Sequence, residues 1–195
     1  MATQYAQDIQ TFKKGFDGGT RPNRFVVNGE IGGDSGENMP NLLVKAASMP
    51  AQTLGTIQVP FRGRVAKLPG DRIYPEWTFT ALDTNTNGES SNSKNWRRLF
   101  EEWHAGLNQH KENTALEAET LSGLHEKWFK EWTVTQLDTQ GFEIADRTIR
   151  LVNCWPTEIG AIDLSFDTAD ALNEYAVTLA YDWLVLEEGT GGGNN

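Results

Sequence analysis

The sequence predicts a mainly β fold, an antiparallel β-sandwich or barrel with one flanking α-helix. Three observations carry that expectation. Short strand-forming runs recur between clusters of Gly, Pro, Asn and Ser, in a chain with 19 Gly and 7 Pro. Two stretches, Trp77–Leu82 and Glu174–Leu186, alternate apolar and polar residues with the period of a strand that buries one face. A single stretch, Lys94–Leu107, carries its apolar residues on a 3.6-residue period. Many strands and one amphipathic helix are the ingredients of a β-rich layered domain.

Taken in order, residues 1–23 are polar and broken by Gly15, Gly18, Gly19 and Pro22, and read as an N-terminal arm, 1–20, leading into the fold. Arg24–Ile31 is the first strand and 32–41 a loop by its Gly and Pro content. Leu42–Ala47 reads as a second strand, stopped by Pro50. Gly55–Phe61 is extended, and Pro60 within it argues for an edge or a bulge, because proline has no N–H to give a central ladder. The run from Arg62 to Leu82 reads as a hairpin with Pro69-Gly70-Asp71 as its turn. Pro pre-sets φ, and Gly tolerates a positive φ that a β-branched residue resists.

Residues 84–93 are loop by composition, and Ser93 is placed to cap the helix Lys94–Leu107. Trp96, Leu99, Phe100, Trp103 and Leu107 form its apolar stripe, with Arg97, Arg98, Glu101 and Glu102 opposite. Two arginines near a helix N-terminus run against the macrodipole. Residues 108–127 are polar and weakly patterned, an insertion or long loop. Trp128–Thr139, Phe142–Trp155 (ended by Pro156) and Glu158–Phe166 read as further strands, with a turn at Asp167–Asp170. In Glu174–Leu186, Tyr175, Val177, Leu179, Tyr181, Trp183 and Val185 share one face. Residues 187–195 form a glycine-rich flexible tail. The sum is about eight strands in one domain spanning 1–195, a size at which roughly 70% of the unfolded surface is buried, with seven Trp and nine Phe to fill the core.

The net charge of −10 excludes a protein that wraps nucleic acid by neutralising phosphates, which needs an excess of Lys and Arg. The single cysteine, Cys154, excludes an intrachain disulfide and any Cys-based metal cluster. No run approaches the ~18 apolar residues of a membrane span, and the N-terminus lacks a signal-peptide pattern. We therefore expect neither membrane insertion nor export. His104, His110 and His125 match no metal-binding spacing, and Cys154 beside Trp155 reads as a small buried hydrophobe rather than a nucleophile. Glu101-Glu102 and Glu187-Glu188 are adjacent pairs that do not face one another, and no phosphate-binding glycine motif or nucleophile elbow is present. The expectation is a non-enzyme without cofactor or metal. Open strand edges instead suggest a rigid module that builds a larger sheet with its neighbours.

Arg21-Pro22-Asn23-Arg24-Phe25, Lys45-Ala46-Ala47-Ser48-Met49-Pro50-Ala51, Val59-Pro60-Phe61, Gly70-Asp71-Arg72 and Trp77-Thr78-Phe79-Thr80 are followed by Leu151–Gly160, Asp163–Asp167 and Tyr175–Asp182. This ordered set, spread over residues 20 to 186, resembles the tail tube proteins of contractile-tailed bacteriophages, relatives of the type VI secretion and phage-tail-like particle tubes. The resemblance implies hexameric rings whose strands join into one inner barrel. The rings would stack helically into a hollow tube inside a contractile sheath, the conduit for genome delivery. It implies that the hairpin matching Val59 to Arg72 reaches the adjacent ring, with Val59, Phe61, Arg62, Arg64, Gly70, Asp71 and Arg72 as contact residues, and that the terminal arms hold neighbours. The implied partners are further copies of the chain, the tail sheath protein, the baseplate and tail terminator proteins, and, transiently in the lumen, the tape measure protein and genome DNA. The implied location is the virion tail, with assembly in the host cytoplasm. Residues 108–127 and the C-terminal tail depart from the family pattern.

An acidic wall suits such a bore, since DNA carries about one charge per 1.7 Å and a basic wall would bind it. Two other readings compete: the inner tube of a phage-tail-like particle or secretion system that carries no DNA, and a soluble β-sandwich carbohydrate-binding module using Trp77, Trp103 or Trp155 as stacking platforms.

Overall fold

The computed structural model of the chain describes residues 9–16, 19–33, 36–84, 94–109, 126–167 and 170–187. Among them the order is α1 (Ile9–Phe16), β1 (Phe25–Gly29), β2 (Val44–Ala47), β3 (Thr53–Phe61), β4 (Arg64–Ile73), β5 (Trp77–Leu82), α2 (Trp96–Leu107), β6 (Lys130–Leu137), β7 (Glu143–Ile159), β8 (Glu174–Ala180) and β9 (Trp183–Glu187). Every strand pair is antiparallel. The 17-residue β7 belongs to two sheets. Up to Cys154 it pairs with β6, and over Thr148–Val152 with β9; from Trp155 to Ile159 it pairs with β8. One sheet is thus β1-β6-β7-β9 and the other β7-β8-β5-β2, while β3 and β4 pair only with each other. At the change of sheet, Asn153 has φ 59, a left-handed residue that bends the strand.

The register states which side chains meet. On β5 and β8, Trp77 lies opposite Leu179, Phe79 opposite Val177, and Ala81 opposite Tyr175. On β6 and β7, Trp132 lies opposite Leu151 and Val134 opposite Ile149. All ten are buried. Trp132 is the meeting point: its ring centroid lies 6.2 Å from that of Trp77, 5.1 Å from Phe79 and 6.1 Å from Phe100. The first two belong to the facing sheet and the third to α2. Tilted ring pairs of this kind contribute about 0.5–1.5 kcal/mol each beyond the area they bury. Three buried indole N–H groups find acceptors: Trp132 donates to Glu30 O at 3.1 Å, Trp103 to Trp128 O at 2.7 Å and Trp77 to Ser48 O at 2.6 Å; those of Trp96 and Trp128 have none among the described residues.

The helix forms where the stripe predicts. Trp96, Phe100 and Trp103 are fully buried. Its cap is Asn95, whose Oδ1 accepts from Arg98 N at 3.1 Å; Ser93, expected in that role, lies outside the described residues. The two early arginines find partners of their own that offset the opposing dipole in part. Arg97 and Arg98 pair with Glu101 and Glu102 one turn on. Arg97 also donates to Gly160 O at 2.8 Å and stands over the Tyr175 ring.

Four expectations are corrected. Pro156 does not end its strand. Proline cannot supply a ladder N–H, but a register shift between Pro156 and Glu158 absorbs the missing donor, as bulges do, and β7 runs on to Ile159. Glu158–Phe166 is not a strand: after Gly160 N donates to Ala176 O at 2.7 Å, residues 160–165 are an irregular loop. Glu174–Leu186 is two strands, broken where Asp182 N donates to Val152 O at 3.1 Å. The chain there crosses to the other sheet, so Leu184 packs on the core and Trp183 faces out, opposite to the face expected. The second strand is shorter, because Asn41–Leu43 forms a 3-10 turn before it. The expected arm contains α1, while the expectations for residues 110–125 and 188–195 lie outside the described residues.

Gly106 supplies a test. A glycine inside a helix normally costs about 1 kcal/mol relative to alanine, so Gly106→Ala would ordinarily stabilise. Here a Cβ would stand 1.9 Å from Cη2 of the Trp128 ring. We expect Gly106→Ala to lower stability by about 1–3 kcal/mol through overpacking, read as a lower urea midpoint; a raised midpoint would show that the helix–Trp128 contact is looser than described.

Candidate inter-subunit surfaces

The β3–β4 hairpin carries apolar side chains that stay largely exposed among the described residues. Ile57 lies opposite Leu68, Val59 opposite Ala66 and Phe61 opposite Arg64. Opposed residues of an antiparallel pair share a face, so Ile57, Val59, Phe61, Ala66 and Leu68 form one apolar stripe with Arg64 at its outer end. Phe61 is 64% exposed, and Leu54, Ile57, Val59, Val65, Leu68 and Ile73 are about half exposed. The second face carries Thr56, Gln58, Lys67 and Pro69. Two-stranded hairpins are marginal in water without something to pack on. The root is firmly held: Tyr181 donates to Ala51 O at 3.3 Å, and the Tyr74 and Tyr181 rings lie 5.9 Å apart.

The structure moves the turn. The sequence places it at Pro69-Gly70-Asp71; the chain instead reverses at Arg62 and Gly63, with φ 46 and 82. Two successive positive φ values are the signature of the tight hairpin turn whose twist matches antiparallel strands. Arg62 is the less usual occupant, and its guanidinium lies 5.5 Å over the Phe61 ring. Gly70 lies within β4, outside the positive-φ residues. Its glycine serves close approach: a Cβ would meet Gly55 C at 3.1 Å and O at 3.2 Å, where the register slips between Leu54 and Thr56.

The seven expected contact residues therefore fall in two groups. Val59, Phe61, Arg62 and Arg64 gather at the tip. Gly70, Asp71 and Arg72 sit at the base, roughly 20 Å away at the rise of a strand, where Arg72 binds the Gln52 side chain. The sequence reading missed Ile57, Ala66 and Leu68, which complete the apolar stripe. The alternation Ile57-Val59-Phe61 was the signal, read as extended chain but not as a face.

Three strand edges are also open among the described residues: β1 pairs only with β6, β2 only with β5 and β9 only with β7. The helix α1 adds a second uncovered apolar surface. Ile9, Phe12 and Phe16 are more than half exposed, and the Phe12 and Phe16 rings stack at 5.5 Å.

The groups weighed for chemistry occupy other settings. Cys154 is buried, and burial pushes its thiol far above the ordinary cysteine range, with Glu131 and Asp182 acting in the same direction. Burial likewise pushes the Tyr175 phenol up, although the Arg97 charge opposes it. Among the described residues no group of three or more His, Cys, Asp or Glu side chains is arranged to hold a metal ion, and no helix is long and apolar enough to cross a membrane. His110 and His125 lie outside the described residues. Trp77 and Trp103, considered as sugar platforms, are buried, and half-buried Trp155 packs edge-on against Phe129 at 5.2 Å.

Two outcomes follow from this geometry. A Cβ at Gly63 meets nothing within 4 Å, so Gly63→Val strains only the backbone of the tip. It should lower the stability of the subunit by no more than that local strain, about 1–3 kcal/mol, while altering the amide spectrum of residues 59–66. A large loss of global stability would mean that the hairpin packs on its own core. Because the buried thiol stays protonated, Cys154 should resist a thiol-reactive dye at pH 8 in the folded protein and react once urea unfolds it; rapid labelling of the folded chain would refute its burial.

Comparisons with known proteins bear on the family and the fold. The family model for phage tail tube proteins matches residues 19–186. The chain is 26% identical over 177 residues to the tail tube protein gp19 of Enterobacteria phage T4, covering 90% of this chain and 98% of that one. It is 25% identical over 140 residues to the tail tube protein of Serratia phage KSP90, covering 72% and 71%. Two solved structures share the fold. One is the tube terminating cap of the anti-feeding prophage, with TM-score 0.57, 17% identity and 97% and 95% of the two chains covered. The other is a chain of the sheath–tube complex of an extracellular contractile injection system in its extended state, with TM-score 0.55, 17% identity and 96% and 100% covered. With the family model spanning nearly all of the strands and the helix α2, this chain belongs to the phage tail tube protein family, and is a structural protein of the tail rather than an enzyme.

Proposed function

We propose that the chain closes into hexameric rings and that the rings stack helically into the hollow inner tube of a contractile phage tail, through which the genome passes into the host. The observation that carries this reading is the β3–β4 hairpin, whose apolar face is about half exposed or more and is not buried against the other described residues. A partner must shield that face, and a neighbouring copy is always at hand during assembly. The open edges of β1, β2 and β9 offer the ladder groups for lateral joining, and head-to-tail contacts close into rings when their rotation closes. The other partners follow from the place of a tube in a tail: the sheath protein outside, the baseplate and terminator proteins at the ends, and the tape measure protein and then DNA within. Support for the sheath and terminator comes from the fold neighbours, one a chain of a sheath–tube complex and the other a chain of a tube terminating cap. The protein belongs in the virion tail, assembled in the host cytoplasm.

The chain's net charge of −10 suits a bore that lets DNA slide. Electron microscopy of negatively stained protein across a concentration series tests the assembly. Rings at low concentration and hollow tubes at high concentration are expected. A protein that stays monomeric even with a nucleating baseplate would sink the proposal. In an averaged reconstruction of the tube, the side chains facing the lumen should carry more Asp and Glu than Lys and Arg; a basic bore would overturn the electrostatic part alone.

A further inference from the structure

The loop between β7 and β8 is a further place where large apolar side chains stand in solvent. Phe166 is fully exposed, Leu164 is 81% exposed and Leu172 74%. Together with Ala161, Ile162 and Ala171 they line a hollow of about 530 Å³. The rim is acidic. Residues 160–174 include Asp163, Asp167, Asp170 and Glu174 and no Lys, Arg or His. Asp163 and Glu174 line the hollow, Glu174 being paired with Lys45, and the exposed Asp167 and Asp170 lie in the same loop. The β3–β4 hairpin has the opposite character. In a chain of net charge −10, its residues 53–73 carry Arg62, Arg64, Lys67 and Arg72 against Asp71 alone, beside the apolar stripe.

The register places these two surfaces at opposite ends of one sheet. The hairpin leaves between Ala47 and Trp77. Ala47 lies opposite Phe79 and Trp77 opposite Leu179, near the end of β8. The 160–174 loop enters at the other end, where Leu82 lies opposite Glu174 and Asp83 N donates to Asn173 O at 2.9 Å. Six-residue β5 separates them by roughly 20 Å. The loop is fixed there by Gly160 N donating to Ala176 O at 2.7 Å and by Arg97 donating to Gly160 O at 2.8 Å. A basic, apolar projection at one end and an acidic, apolar hollow at the other form a head-to-tail pair.

We propose that the hairpin tip of one copy, Phe61 with Arg62 and Arg64, seats in the hollow lined by Leu164, Phe166 and Leu172 on the copy stacked next to it, with Asp163, Asp167 and Asp170 facing the two arginines. This rests on the self-stacking reading above and names the surface that receives the hairpin. The occupant is a second copy of this chain, because charge and apolar character match and both surfaces stay open in the single subunit. Such a contact does not close on itself: each copy keeps one free tip and one free hollow, so the stack grows at both ends.

The test is a charge exchange. Arg62→Glu with Arg64→Glu, and separately Asp163→Arg with Asp167→Arg, should each raise the critical concentration for tubes about tenfold or more. An equimolar mixture of the two variants should form mixed stacks, and the variant carrying all four changes should recover tubes. All positions are exposed, so melting curves should stay close to the parent's. As a second measurement, Phe61→Cys with Leu164→Cys in the parent background should give a ladder of disulfide-linked multimers on mild oxidation, Cys154 being buried. Parent tubes with no rescue and no ladder would overturn this pairing and leave self-stacking intact. A parent protein that forms no tubes would overturn the self-stacking reading, and this inference with it.

Discussion

Trp132 is the side chain on which the two sheets agree. It stands on β6, its ring meets Trp77 and Phe79 of the facing sheet, and Phe100 brings α2 onto the same cluster. Its position follows from a chain of register choices. Gly29 lies opposite it on β1 and Leu151 on β7, and a glycine is required because a Cβ at 29 would fall 2.0 Å from the indole. A slip of one residue in β6 would turn Trp132 and Val134 to solvent and bring Glu131 and Thr133 inside. The aromatic cluster thus sets both the distance between the sheets and the pairing within one of them.

The core is settled by that cluster, and none of the hairpin residues 53–73 belongs to it. The hairpin's apolar residues are spent outside the core, at a place where a lone two-stranded ribbon is marginal. Apolar surface of this kind on a free subunit is ordinarily an aggregation hazard. Arg62, Arg64 and Lys67 along the ribbon, and Pro60 in its first strand, counter that hazard, since charge and proline discourage indiscriminate pairing of strand edges. The same residues leave the ribbon free to dock where an acidic surface waits.

Periodicity read well wherever one element obeyed one period from end to end. The stripe of α2 was legible because Trp96, Phe100 and Trp103 all face one core, and β5 because Trp77, Phe79 and Ala81 do. Legibility failed where an element changed partner midway. β7 serves two sheets, so Pro156 read as a stop although a bulge carries the strand past it. Tyr175 through Val185 read as one face although the chain crosses sheets at Asp182, inverting the meaning of Trp183. The hairpin turn was misplaced for a different reason. Pro69-Gly70 has the composition of a turn, while the real one puts an arginine at φ 46, which residue preference argues against. Of the proposed contact surface, the tip was legible as a cluster of residues, but its apolar face depends on the pairing of Ile57 with Leu68, which only the corrected turn supplies.

Charge decides how a sticky subunit avoids sticking at random. Copies with a net charge of −10 repel one another on average, and at physiological salt that repulsion reaches only about 8 Å. Within that range the average matters less than the local pattern. Most orientations bring acidic surface against acidic surface, whereas a hairpin with four basic residues and one acidic residue meets a neighbour's acid-rimmed hollow without that penalty. Electrostatics of this kind contributes orientation and discrimination more than affinity, and the apolar stripe supplies the burial that holds the pair once oriented. The two surfaces lie at opposite ends of one sheet, so the orientation they select carries an axis. A subunit built on a rigid aromatic core, with its complementary surfaces at the two ends of one sheet, would transmit that axis from copy to copy, so that a stack of such copies keeps one polarity along its length.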